Sequence, residues 1–151
     1  MNTAPLFADP NLLHLERVQS DSDRITLTVK TAPKPALCPR CLSSSAHLHS
    51  RYVRKLADLP WLGIAVLLEI QARRLYCRNM DCSQQIFCER IPEFVAPYAR
   101  RTLRLNEALR LIGLAVGGEA GSRLAIALGM SVSPDTVIQR IRQIQLPMPC
   151  P

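Results

Sequence analysis

Two pairs of cysteines constrain this chain more than anything else in it. They are Cys38-Pro39-Arg40-Cys41, a C-x2-C knuckle, and Cys77-Arg78-Asn79-Met80-Asp81-Cys82, a C-x4-C knuckle, with 35 residues between them. Each knuckle can aim two thiolates at one point. Two knuckles brought together by a small sheet close a tetrahedral sulfur site, the geometry of one structural zinc ion. Such a site turns a poorly cored stretch of chain into a folded module.

The chain has 151 residues, enough for one ordinary domain or two small ones. Apolar residues make up 48% and aromatic residues 5%, so the core is built from Leu, Ile, Val and Ala. The net charge is +7, and 16 of the 19 cations are Arg. Arginine forks suit phosphates and base edges better than they serve simple solubility. Fourteen cations and eight acids follow residue 50, so the positive balance sits mostly in that part, as a nucleic-acid footprint would. No apolar run reaches membrane-spanning length, and residues 1–10 lack a basic-then-apolar signal pattern. A cytoplasmic protein without a membrane partner is expected. Its cysteines are then reduced, which favours metal over disulfides.

The periodicity predicts an α+β protein: a small antiparallel β zinc ribbon followed by an all-α helix-turn-helix domain. Residues 1–23 read as a short helix or turn around Leu12-Leu13-His14-Leu15. Residues 24–30 alternate cleanly, with Ile25, Leu27 and Val29 on one face, and read as a strand. Residues 47–54 alternate weakly, and residues 58–63 read as an apolar turn. Residues 65–76 are the best strand, with Val66, Leu68, Ile70 and Ala72 on one face, and lead directly to Cys77. Past Cys88 the period changes. Pro92 opens a short helical stretch over 93–99. Leu105, Leu109, Ile112 and Val116 mark a helix over 103–116, and a second runs over 119–128 to Gly129. A third follows Ser133, which can cap it, with Pro134 at its first position and Val137, Ile141 and Ile144 on its buried face. The expected organisation is a strand and zinc-ribbon domain over 1–91, a helical domain over 92–146 and a linker-like tail over 147–151.

Alternatives to zinc are buried apolar cysteines, or a redox C-x2-C at Cys38 and Cys41. A redox motif normally opens a helix, whereas Pro39 and Ser43-Ser44-Ser45 argue for a turn. His47 and His49 are rival ligands, but four cysteines already complete the shell. Cys88 and Cys150 are spare.

Residues 119–144 carry the second signal. A helix rich in small residues, a turn over 130–133 and a helix whose outer face shows Asp135, Thr136, Gln139, Arg140, Arg142 and Gln143 fit a helix-turn-helix on double-stranded DNA. Gln139 and Arg140 suit adenine and guanine edges; Ser131, Ser133 and Thr136 suit phosphate oxygens. Arg123 and Arg142 add charge on the same two helices. The plainer alternative is a helical hairpin with a solvated face. Arg100, Arg101 and Arg104 precede and open the helical part, where three cations match a helix dipole poorly and a phosphate well. On the ribbon, Arg51, Arg54, Lys55, Arg73 and Arg74 are the candidate backbone contacts. The twelve acids are scattered, and no catalytic residue is found.

Taken together, Cys38-Pro39-x-Cys41, His49-Ser50-Arg51-Tyr52, Asp58-Leu59-Pro60-Trp61-x-Gly63 and Arg73-Arg74-x-Tyr76-Cys77-Arg78-Asn79 resemble the N-terminal zinc ribbon of ISL-three family transposases. The likeness continues through Phe87-x-Glu89-Arg90, Tyr98-Ala99-Arg100-Arg101-Thr102, Gly117-Gly118-Glu119-Ala120-Gly121, Leu128-Gly129-Met130 and Ser133-x-Asp135-Thr136, about residues 35–147 in all. The resemblance implies zinc-supported binding to transposon terminal inverted repeats. In that family a catalytic domain with an acidic triad follows. This chain stops about where that domain starts, so the resemblance points to a truncated transposase or a stand-alone DNA-binding remnant. A homodimer, or pairing with a full-length transposase, is the expected protein partnership. The rivals are an active transposase whose catalytic domain lies outside this chain, and a zinc-ribbon protein-interaction module.

Overall fold

Alternation sets the centre of the fold. In a strand every second side chain shares a face, so Ile25, Leu27 and Val29 meet Val66, Leu68, Ile70 and Ala72 in one buried layer. The computed structural model describes residues 11–143, and the order there is β1 (Leu13–Ser20), β2 (Arg24–Thr31), β3 (Ala36–Leu37), β4 (Ser44–Ser45), β5 (Leu48–Trp61), β6 (Ile64–Tyr76), β7 (Ile86–Cys88), α1 (Leu103–Val116), α2 (Gly118–Ala127) and α3 (Pro134–Arg142). The tail over 147–151, Ile144 and Cys150 lie outside the described residues.

The main sheet runs β1-β2-β6-β5, with β7 on β6 beyond the end of β2; β3 and β4 form a separate small pair. It is mixed rather than antiparallel throughout. The ribbon strands β5, β6 and β7 are antiparallel as expected, but β2 joins β6 in parallel. The chain between β2 and β6 contains the first knuckle and all of β5, and a crossover of that length permits parallel pairing.

Three local readings change. Residues 13–20 form an edge strand, not a helix or turn. The register shifts between Leu15 and Arg17, so Glu16 is an extra residue that hides the alternation. β5 continues through residues 58–61. Only Leu62 and Gly63 make the turn, both at positive φ (50° and 78°), as a two-residue hairpin that follows the sheet's twist requires. Residues 93–99 form turns and no helix. Pro97 lacks the N–H to continue one and disfavours helical backbone at Ala96.

The helices form a second core from Leu105, Leu109, Ala125, Met130, Val132 and Val137, against which Ala57 and Leu59 of β5 also pack. Thr102 caps α1 by accepting from the Leu105 amide, and Ser133 caps α3 by accepting from the Thr136 amide. At Gly113 a Cβ would meet Val137 Cγ1 at 2.7 Å, so α1 and α3 approach only because that atom is absent. Gly129 has φ +90° and lies against the hairpin turn, where a Cβ would stand 2.4 Å from the Gly63 carbonyl oxygen.

A buried carboxylate joins sheet to helices. Asp58 is 4% exposed and accepts from Thr102 Oγ1 and Arg104 Nε, both at 2.7 Å, and pairs with Arg104 Nη2 through its other oxygen. Ala57 makes backbone bonds to both sides of Arg101 across the same joint: its N–H donates to the Arg100 carbonyl, and its carbonyl accepts from the Thr102 N–H. Asp58→Ala leaves Thr102 and Arg104 without their acceptor. It is expected to cost about 2–4 kcal/mol in urea unfolding, near the low end for a broken buried pair because Arg104 is part-exposed. Gly129→Ala should also destabilise, through both its φ and its contact with Gly63, by about 1–3 kcal/mol on the same measurement.

Candidate metal centre and the basic residues around it

The first knuckle is a tight turn between β3 and β4. Cys38 N–H donates to the Ser43 carbonyl and Leu42 N–H to the Cys38 carbonyl, both at 2.9 Å, and Leu42 takes the left-handed φ of 60° that closes the turn. The second lies between β6 and β7. Cys77 N–H donates to the Gln85 carbonyl, Cys82 N–H to the Asn79 carbonyl, and the Asn79 side chain accepts from the Asp81 amide at 3.0 Å. That asparagine turn is what four residues between cysteines accommodate. Leu75 and Phe87, both buried, pack with Cys38 under the two turns.

All four sulfurs converge within 4.8 Å of one another. Cys41 and Cys77 Sγ are 3.5 Å apart, and Cys38 and Cys82 Sγ 4.0 Å. Ligands at about 2.3 Å from one tetrahedral zinc ion stand about 3.8 Å from each other, so these separations bracket the required value. The five described cysteines are all free, and Cys88 stands outside the cluster. The four cysteines can therefore hold one zinc ion. Residues 34–82 match the family of the zinc-finger of transposase IS204/IS1001/IS1096/IS1165. The matched segment contains both knuckles. No curated protein and no solved structure matches the chain.

Within this cysteine cluster the thiols do not ionise alike. Hydrogen bonds from the Ser43 side chain and backbone hold Cys41 down to about 6. The Asn79 backbone amide pulls Cys77 down too, but loss of hydration and the neighbouring thiols outweigh it and push Cys77 up to about 12. Four thiolates this close repel unless a cation sits among them, which is what zinc supplies when bound. The histidines stay outside: His47 Nδ1 is 3.3 Å from Arg78 Nη2, and His49 stacks edge-on against Tyr76.

The predicted cations fall into two groups. Arg73 is buried, 7% exposed, and its guanidinium donates to Glu89 Oε2 (2.9 and 2.7 Å) and to the Lys34 carbonyl (2.7 Å). Glu89 also accepts from Thr31 Oγ1 and from the Arg73 amide. Arg73, expected among the DNA contacts, is instead an internal tie between strands: its guanidinium is buried against Glu89 and the Lys34 carbonyl, whereas the neighbouring Arg74 is exposed. Arg54 donates to the carbonyls of Ala96 and Ala99, and Arg104 to Asp58, so both brace the structure. Lys55 pairs with Glu69 at 2.9 Å on the surface. Arg51, Arg74, Arg100, Arg123, Ser131, Ser133, Gln139 and Arg142 are exposed; Arg101, Thr136 and Arg140 are half-buried. Arg101 and Arg140, far apart in sequence, are near enough to repel. Burial first, and then the Arg140 charge, lowers Arg101, and Arg140 Nε is buried with no hydrogen-bond partner.

Sequence reasoning missed the two buried acids, Asp58 and Glu89, as organisers. Each stands in a motif the resemblance uses, but acids outside a metal or catalytic constellation offered no physical signal. It also missed Tyr98 as an individual. Tyr98 has φ 59° and is 95% exposed, a backbone position that costs a bulky residue about 1–3 kcal/mol.

One zinc ion per chain is expected by atomic emission. Cys82→Ser should lower the content sharply, and Cys88→Ser should leave it at one. Zinc must displace the Cys77 proton throughout the neutral range, so apparent affinity rises with pH. Cys41 is ionised above pH about 6 and adds its proton only below, so the slope of log affinity against pH steepens by about one there. A chelator competition giving one unbroken slope through pH 6 contradicts this assignment.

Proposed function

We propose that this chain is a zinc-supported, non-catalytic DNA-binding protein of transposase type that recognises transposon terminal inverted repeats. The observation that carries the reading is the transposase zinc ribbon at residues 34–82 with its four sulfurs gathered at one point. The proposal divides the chain into a ribbon module up to residue 91 and a helical module from residue 92. α2, the turn over 128–133 and α3 act as a helix-turn-helix, with α3 in the major groove. Support comes from the exposed Gln139 and Arg142 on α3, and from Ser131 and Ser133 at its start. The crowding of Arg101 against Arg140 adds to it, because a phosphate between them relieves the repulsion and gives Arg140 Nε an acceptor. Arg51, Lys55 and Arg74 on the ribbon, with Arg100 and Arg123, supply further backbone contacts.

A second reading is a protein-interaction surface. It is favoured by large apolar side chains exposed on α1, on α2 and just beyond: Leu111, Leu114, Leu124, Ile126 and Leu128. Such a face suits a second copy or a full-length transposase.

A competition titration at physiological salt tests the main reading, with flanking inverted-repeat DNA against scrambled duplex of equal length. A specificity ratio of about a thousand or more is expected, and affinity should fall steeply with salt. Gln139→Ala should lower the ratio by about tenfold, while Arg142→Ala weakens both duplexes alike. A ratio near one removes end recognition and favours the interaction surface.

A further inference from the structure

The buried face of the main sheet is left uncovered at one end. Ile91, Phe94, Val95 and Ala99 pack over its middle. Beyond them, Arg74 and Cys88 are register partners across β6 and β7, and Tyr52 stands two pairs along on β5, diagonal to Arg74 and on the same face. The Arg74 guanidinium lies over the Tyr52 ring, 4.8 Å from its centroid. Between this row and the Pro97-Tyr98 bend is a cleft of about 580 Å³. That size falls in the range of about 300–1,000 Å³ that holds small ligands.

Its charge is one-sided. Arg74 and Arg90 line it, and Arg90 makes no ion pair among the described residues. The only acid in its wall, Glu89, is matched by Arg73. Its rim is strained. Tyr98 is almost wholly exposed at a left-handed φ that no packing contact of its ring enforces. What enforces it is Arg54, whose Nη2 donates to the carbonyls on either side of the bend, Ala96 at 2.9 Å and Ala99 at 2.7 Å. A clamped, strained, solvent-facing aromatic beside a basic aromatic cleft points to a ligand with a π face and a negative charge.

We propose that this cleft holds one unstacked nucleobase of single-stranded DNA. The base stacks on the Tyr98 ring, with Tyr52 and Arg74 forming the inner wall, and Arg74 and Arg90 take the phosphates on either side. The proposal rests on the DNA-binding reading and adds a second mode to it: α3 contacts duplex, and the cleft receives a strand that has left the duplex.

The test uses the full zinc-loaded chain with two fluorescent probes, a twelve-nucleotide oligothymidylate and the blunt inverted-repeat duplex. Tyr98→Gly is the informative variant, because glycine adopts φ 59° freely, so melting temperature should hold or rise. Tyr98→Gly should weaken oligothymidylate binding about 5–150-fold, the range for one lost base stack, and change duplex binding less than about twofold. Arg90→Gln should also weaken oligothymidylate binding and flatten its salt dependence. Oligothymidylate should slow alkylation of Cys88 by N-ethylmaleimide, read by peptide mass spectrometry. Unchanged oligothymidylate affinity in a folded Tyr98→Gly protein, or an unchanged Cys88 rate, overturns the cleft while leaving duplex recognition standing. Loss of duplex recognition with the Tyr98 effect intact overturns the other reading and keeps this one. Binding of neither probe overturns both.

Discussion

The carboxylate of Asp58 has left water, and its partners lie more than forty residues ahead in the chain. An ionised carboxylate in a protein interior is tolerated only with donors in place, and Thr102 and Arg104 supply them. Much of the arrangement follows from that requirement. The chain beyond residue 99 returns to β5, exchanges backbone bonds with Ala57, and starts α1 at the residue that both caps the helix and bonds the carboxylate. Gly129 then meets the hairpin turn at Gly63. A hydrophobic contact alone would let the helices slide on the sheet; a buried ion pair with directional bonds sets their register.

Glu89 does the corresponding work at the other end. It joins Arg73 on β6 and Thr31 on β2, and so holds the chain after the second knuckle against the sheet. The β5–β6 hairpin therefore has two dissimilar ends. The cysteine cluster lies where β6 finishes, and the helices lie at the tip where β6 begins. Thirteen residues of β6 separate them, about 40 Å of strand. The cysteine cluster and the helices therefore sit at opposite ends of one hairpin, and the aromatic cleft lies on the ribbon side of that span.

Legibility followed the range of the interactions concerned. The metal site was readable because a knuckle is local: two or four residues between thiols set its geometry whatever surrounds it. Helix α1 was readable, since the apolar spacing of Leu105, Leu109, Ile112 and Val116 is a signal within one stretch. β1 was not, because a single bulge at Glu16 disrupts a period of two. β5 was cut short for a related reason, its register shifting between Asp58 and Trp61 where Pro60 interrupts the ladder. Arg73 and Arg74 are adjacent and chemically alike, yet one is buried against Glu89 and the other faces a cleft. Alternation says that neighbours face opposite ways, but not which way is inward once both faces of a strand are partly covered.

By itself the sequence determined the chemistry of the sulfur cluster, the strands that deliver it, the three helices and the excess of arginine. All are consequences of local spacing or of composition. The tertiary structure alone decided that β2 lies parallel to β6, that Asp58 and Glu89 anchor the two ends of the hairpin, and that Arg54 clamps Tyr98 in a strained bend. It also decided which arginines remain free for a ligand. These depend on contacts between residues distant in the chain, where the energy of one buried charge outweighs any local preference.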